Sequence, residues 1–141
     1  MATLKISDLS VGDWVRWKVD DKTYDMQVSG VTDRRIYGLH DGIEYSMLLT
    51  QICPIPITAE ILEKNGWVFH KGSLWWVCDI DKDTRTSVWL GKNSECRVEV
   101  SVLYGESRTW SNYADVKLAN AHIHLLQRTL RLAGVEKEIN L

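Results

Sequence analysis

Residues 52–67, "ICPIPITAEILEKNGW", hold both prolines of the chain, and their reading decides how the rest divides. Pro54 and Pro56 carry no amide hydrogen for a central ladder, so a strand ends here or runs along a sheet edge. Thr58 suits a helix N-cap, because its hydroxyl can accept from a free amide of the first turn. Ile57 before that cap and Leu62 within the helix fit a hydrophobic staple. Glu60 lies where the helix dipole favours a negative charge. Asn65-Gly66 ends the helix, with Gly66 free to turn left-handed. Each residue has a structural role, so the segment is a joint. It separates a β lobe over residues 1–57 from a second part over residues 67–141, with a connecting helix at 58–66. The second part can also pack as one compact unit with the first.

Upstream of the joint the pattern is that of short antiparallel strands. In "DWVRWKV", Val15, Trp17 and Val19 share one face, and Trp14, Arg16 and Lys18 the other. "DDK" turns the chain, and "TYDMQV" then sends Tyr24, Met26 and Val28 inward. "RIYGL" leads to His40-Asp41-Gly42, a hairpin signal, and "IEYSM" repeats the alternation through Ile43, Tyr45 and Met47. Strands this short, with tight turns, predict a small SH3-like antiparallel β-barrel.

Downstream, "WVFH", "LWWVCDI", "SVWL" and "CRVEVSVLY" predict an antiparallel β-meander. In the last of these Cys96, Val98, Val100, Val102 and Tyr104 point one way, and Arg97, Glu99 and Ser101 the other. From Tyr113 to Ala133 the period becomes helical: Val116, Ala119, Ile123, Leu126, Leu130 and Ala133 recur at intervals of three and four. The expectation is one long helix over 113–133 packed on the meander, stopped by Gly134. The tail "VEKEINL" alternates like an edge strand. The fold class is therefore α+β. The apolar seam also allows a homo-oligomer, although intramolecular packing accounts for it more simply.

With 141 residues, 45% of them apolar and 26% charged, the chain has the composition of an ordinary globular protein. Residues 1–57 carry six Lys/Arg against eight Asp/Glu, and residues 58–141 carry eleven of each. Neither half is basic, so a broad phosphate-neutralising face, and with it a nucleic-acid partner, is not expected. No apolar run approaches the ~18 residues that cross a bilayer. "MATLKISDLS" lacks the pattern of a signal peptide, so a cytoplasmic location and no membrane partner are expected. Cys53, Cys78 and Cys96 lie in strand-like runs without C-x-x-C spacing and read as small buried hydrophobes rather than zinc ligands. Seven tryptophans suit a core, a stacking platform or an interface.

Candidate chemistry is sparse. His122 and His124, if helical, point about 200° apart and cannot close on one ion, so no metal or other cofactor is expected. His124 and Gln127 share a helix face, and with Lys117, Asn120, Arg128 and Arg131 nearby that face reads as solvated and able to touch a ligand. Asp79, Asp81 and Asp83 resemble the start of a calcium loop. That loop needs Gly and Glu where this chain has Thr84 and Leu90, so a charged hairpin turn is the better reading. No nucleophile elbow, Walker loop, zincin helix or dinucleotide fingerprint occurs. Strand parity supplies the remaining candidates: Arg97 faces outward, and Trp75 and Trp89 share its face if the cross-strand register, which the sequence does not give, aligns them. Two rings beside a guanidinium can then stack on a base or hold an anion. The competing reading is that the final helix covers these tryptophans as a second layer.

"DLSVGDWV" near the start, "IPITAEILEKNGW" in the middle and "IHLLQRTLRLAGVEKEI" at the end resemble a family of uncharacterised small proteins of phages, prophages and mobile elements of gut bacteria. His124 and Gln127 match that family's helical pattern, whereas Leu125 stands where a polar residue is expected. The resemblance implies genomic company and a bacterial-host cytoplasm, not an activity. It leads to the expectation of a non-enzymatic binding protein that counteracts host defence. Such a protein would sequester a small nucleotide signal or block a host protein, with Trp75, Trp89, Arg97, His124 and Gln127 as ligand contacts. A small nucleotide-cleaving hydrolase or lyase built around His124 is the alternative from another class. A nucleic-acid-associated SH3-like module is the third.

Overall fold

The computed structural model describes residues 4–92, 95–104, 106, 108–118 and 120–141. Among them the chain is α+β, with two five-stranded antiparallel sheets and few helices. It divides into two compact units, residues 1–56 with 122–124, and residues 57–121 with 125–141.

The first unit contains β1 (Trp14–Val19), β2 (Lys22–Val31), β3 (Ile36–His40), β4 (Ile43–Met47) and β5 (Ile52–Pro54), in the order β4-β3-β2-β1-β5. The β3–β4 turn places Asp41 at φ 50° and Gly42 at φ 77°, the two left-handed residues of a type I′ hairpin. Val15, Met26, Val28, Ile36, Met47 and Ile52 are buried together, so the alternation read from β1 and β2 holds. Trp17 on β1 and Tyr45 on β4 have ring centroids 5.4 Å apart. In a flat sheet those strands would be about 14 Å apart, three strand spacings. The sheet therefore curls strongly, and Gly38 makes room for it: a Cβ there would lie 2.7 Å from Met47 Cε and 3.2 Å from Met26 Cβ.

The curl stops short of a closed barrel, because β4 and β5 are both edges and no ladder joins them among the described residues. β5 is three residues long and ends at Pro54, which pairs with Val15. Pro54 and Pro56 lack the donors that a second ladder would use.

At the joint, the Ile61 amide donates to Thr58 Oγ1 at 3.2 Å, Ile57 and Leu62 are buried, and Gly66 is left-handed at φ 93°. These are the cap, staple and stop expected of α1 (Ala59–Lys64). Asn65 does more than end the helix. Its Nδ2 donates to the Ile61 and Asn140 carbonyls, both at 2.8 Å, and its Oδ1 accepts from the Asn140 amide at 2.7 Å. The tail expected as an edge strand is instead irregular, with Val135 and Ile139 buried. Asn65 supplies the hydrogen bonds that a ladder would have given.

The second unit contains β6 (Val68–His70), β7 (Trp75–Asp79), β8 (Thr84–Leu90), β9 (Cys96–Tyr104) and β10 (Thr109–Leu118), in the order β10-β9-β8-β7-β6. The long helix expected over 113–133 is not formed. Residues 113–118 belong to β10, and α2 is Ile123–Leu132. Val116 fits both periods, but Ala114, Val116 and Leu118 also alternate with exposed Tyr113, Asp115 and Lys117. Pairing with the nine-residue β9 prevailed, because β9 would otherwise be a long unpaired edge. Ala119, counted in the helical seam, lies outside the described residues. The rest of the seam holds, with Ile123, Leu126 and Leu130 buried. Among the described residues no helix is long and apolar enough to cross a membrane.

Candidate functional site

Register brings three of the five candidate residues together. Trp89 lies directly opposite Arg97, and Arg97 opposite Lys117. Trp76 pairs with Val88, so one further step of that antiparallel register sets Trp75 opposite Trp89; Trp75 itself pairs with His70. One row thus crosses the whole sheet: His70, Trp75, Trp89, Arg97, Lys117. The alternate row, through Val88 and Val98, is buried. Gly134 and Val135, just past α2, line a cavity of about 480 Å³ with Val100 and Val102 of that buried face. The tryptophan row is therefore on the face away from these elements, and both rings are half-buried.

Two further residues belong to this face and were missed. Arg85 lies four positions before Trp89 on the same strand face, and its Cζ stands 4.3 Å from the Trp110 ring centroid. Arg85 and Trp110 both lie outside the strand-like runs named from the sequence. The alternation Arg85, Ser87, Trp89 was the available signal for the first, since β8 begins at Thr84. Trp110 pairs with Leu103 and so follows the parity of Arg97. Trp89 is held down by its neighbour: a Cβ on Gly91 would lie 2.5 Å from the edge of the Trp89 ring.

The electrostatics of the face are balanced. Arg97 donates to Asp115 Oδ2 at 2.6 Å, and Arg85 to Asp79 Oδ1 at 2.9 Å. Glu99 sits opposite Asp115. Burial, then the Asp115 charge, raises the Glu99 carboxyl pKa, partly offset by Arg97. A base stacked on this face would therefore find both guanidinium groups already engaged by carboxylates. The three aspartates of the calcium-like stretch are a charged turn: Asp79 holds Arg85, Asp83 holds Arg108 at 2.8 Å, and Asp81 accepts from the Asp83 amide.

His124 and Gln127 do not join the row. Both are buried in α2, so the solvated helix face expected for them is not there. α2 begins at Ile123 and turns these positions inward together with Leu126 and Leu130. His122 is not helical; it forms an isolated bridge with Pro56. The argument from helical rotation therefore does not apply. The two imidazoles, expected on different sides, lie side by side with centroids 5.8 Å apart and planes at 22°. Burial lowers the His122 pKa below its ordinary value. No group of three or more His, Cys, Asp or Glu that could hold a metal ion occurs among the described residues. Of the cysteines, Cys78 and Cys96 are buried as expected, and burial pushes the Cys96 thiol up to about 12. Cys53 is exposed on the edge strand β5, contrary to expectation.

At the β6 end of the row the surface becomes apolar. β6 is an edge strand, with Val68 62% exposed and Phe69 exposed on its other side. Leu74, between β6 and β7, is 58% exposed and held at φ 65°, a region that a leucine rarely adopts. In the first unit, Trp17, Tyr24, Tyr45 and His40 line a smaller cavity of about 240 Å³. Of the cavities described, none is lined by Trp75, Trp89, Arg97, His124 or Gln127. Compared with protein-family models, curated proteins and solved structures, the chain matches none.

Proposed function

We propose that this is a non-enzymatic binding protein of a phage or mobile element that blocks a host protein, with the β6 edge and the adjoining tryptophan row as its contact surface. The observation that carries this reading is Leu74. A leucine held left-handed costs of order 1–3 kcal/mol and persists where the surroundings impose it, often at a functional surface. Here it displays an apolar side chain beside the unpaired, apolar β6 edge. Such an edge invites strand addition, and an open face of Trp and ion-paired Arg has the composition of a protein interface.

Sequestering a nucleotide signal fits less well, because it needs a concave pocket with free cations, and Arg85 and Arg97 are both paired. The SH3-like reading of the first unit is supported by its strand order, by the 3-10 turn Leu49–Gln51 before the last strand, and by the curl.

A photo-crosslinking amino acid at Leu74, in protein expressed in a gut bacterium, should give a defined host adduct. The same probe at Val11, an exposed apolar position of the first unit, should not. Adding Val68→Lys should abolish the adduct. Equal adducts from both positions, or none, would overturn the reading. A thermal shift with a cyclic dinucleotide that disappears in Arg97→Ala would return the assignment to nucleotide capture.

A further inference from the structure

In the first unit, strand curl gathers aromatic rings that are far apart in sequence. Trp17 lies 6.1 Å from Tyr24 and 5.4 Å from Tyr45, each at 44°, and Tyr24 meets His40 at 5.3 Å and 70°. These are tilted walls meeting at corners rather than a flat stack. All four rings are half-buried and therefore reachable, and Met26 closes the bottom. The walls are also fixed. Trp17 Nε1 donates to Gln51 Oε1 at 3.3 Å, and the same oxygen accepts from the Leu48 amide at 3.1 Å. The Asp25 carbonyl can only accept, so His40 Nδ1 donates to it at 3.2 Å. The Asp41 carboxylate stands 3.4 Å from His40 Nε2.

We propose that Trp17, Tyr24, Tyr45 and His40 form an aromatic cage that takes a methylated ammonium group. Indole and phenol faces carry negative quadrupole potential and attract a cation placed over them. Residues 1–57, with eight acidic against six basic side chains, reinforce that attraction, as does Asp41 beside the His40 wall. Val19 offers no side-chain acceptor and Met26 only a weak thioether one, so a bare ammonium would leave donors poorly satisfied, whereas a quaternary head has none to satisfy. At about 240 Å³ the cavity suits one such head rather than a drug-sized ligand. This proposal is independent of the β6 edge, which belongs to the second unit.

The test is a titration of the whole chain by calorimetry and by the Trp17 indole N–H signal in NMR. The probes are tetramethylammonium, choline, a trimethyllysine peptide, its unmethylated form, and 3,3-dimethylbutanol, the neutral counterpart of choline. The methylated cations should bind, while the unmethylated peptide and the neutral alcohol should bind at least about 10-fold more weakly. The tighter of choline and trimethyllysine peptide identifies the source of the group. Tyr45→Leu should weaken binding about 10-fold, and Trp17→Phe, which keeps a wall, should weaken it less. Lys22 shares the face of Tyr24 at the hairpin end, so Lys22→Ala should tighten binding. Equal binding of the neutral alcohol, a proline-rich peptide occupying the site instead, or no binding by any methylated cation would overturn the proposal.

Discussion

The two units are built from the same number of antiparallel strands and use their aromatic residues in opposite ways. In the first, the sheet bends until β1 and β4 side chains meet, so one face becomes a concave interior with Trp17, Tyr24 and Tyr45 at its mouth. In the second, one face of the sheet is buried and the other stays open, with Trp75, Trp89 and Trp110 spread along it among paired charges. Sheet curvature, rather than aromatic content, separates a cavity from a contact surface. A curled sheet points rings at one another, whereas an open one sets them side by side, where they can only meet something broad.

That contrast can be broken at its supports. Leu126 is fully buried in α2, and Leu126→Ala should cost about 2–5 kcal/mol in urea unfolding. Leu132, 80% exposed at the end of the same helix, should tolerate alanine within about 0.5 kcal/mol. Similar losses at both positions would mean that α2 is buried on a different face. Gly38→Ala tests the curl of the first unit. The added methyl must displace Met47 Cε and press on Met26 Cβ, at a cost of about 1–3 kcal/mol. No loss of stability would show that the strands do not approach so closely.

Leu74→Gly separates stability from function. Glycine relieves the left-handed backbone, so the midpoint of unfolding should hold or rise, by at most about 1 kcal/mol, while the host adduct is lost. A destabilised variant would mean that Leu74 is a packing residue. The smallest effect is that of His122. Its folded pKa is depressed below the unfolded value near 6.5, so the unfolded chain binds the proton more readily. The resulting stability is present above pH 6.5 and lost as pH falls through the folded value. Thermal midpoints should therefore drop modestly between pH 7 and pH 5.5, and less so in His122→Gln. An unchanged drop in that variant would assign it to another group.

Much of this was legible in the sequence. The joint followed from local rules, since a cap, a staple and a left-handed glycine are each set by two or three neighbouring residues. The alternation of β1, β2 and β9 survived for the same reason. The helix over 113–133 was misread because Val116 satisfies both a period of two and one of 3.6, and only the presence of β9 decides between them. His124 and Gln127 were placed on a solvated face for want of the true start of α2. The cage could not be read at all, because Trp17 and Tyr45 are brought together by sheet curvature, which no local pattern encodes. Trp75, Trp89 and Arg97 were found by parity alone, and what register added was their single row.

The most direct test uses the seven tryptophans as internal reporters. In one NMR titration with tetramethylammonium, the account predicts that the Trp17 indole signal moves with concentration while those of Trp75, Trp89 and Trp110 stay in place. Movement of the three second-unit signals with Trp17 unchanged would contradict it.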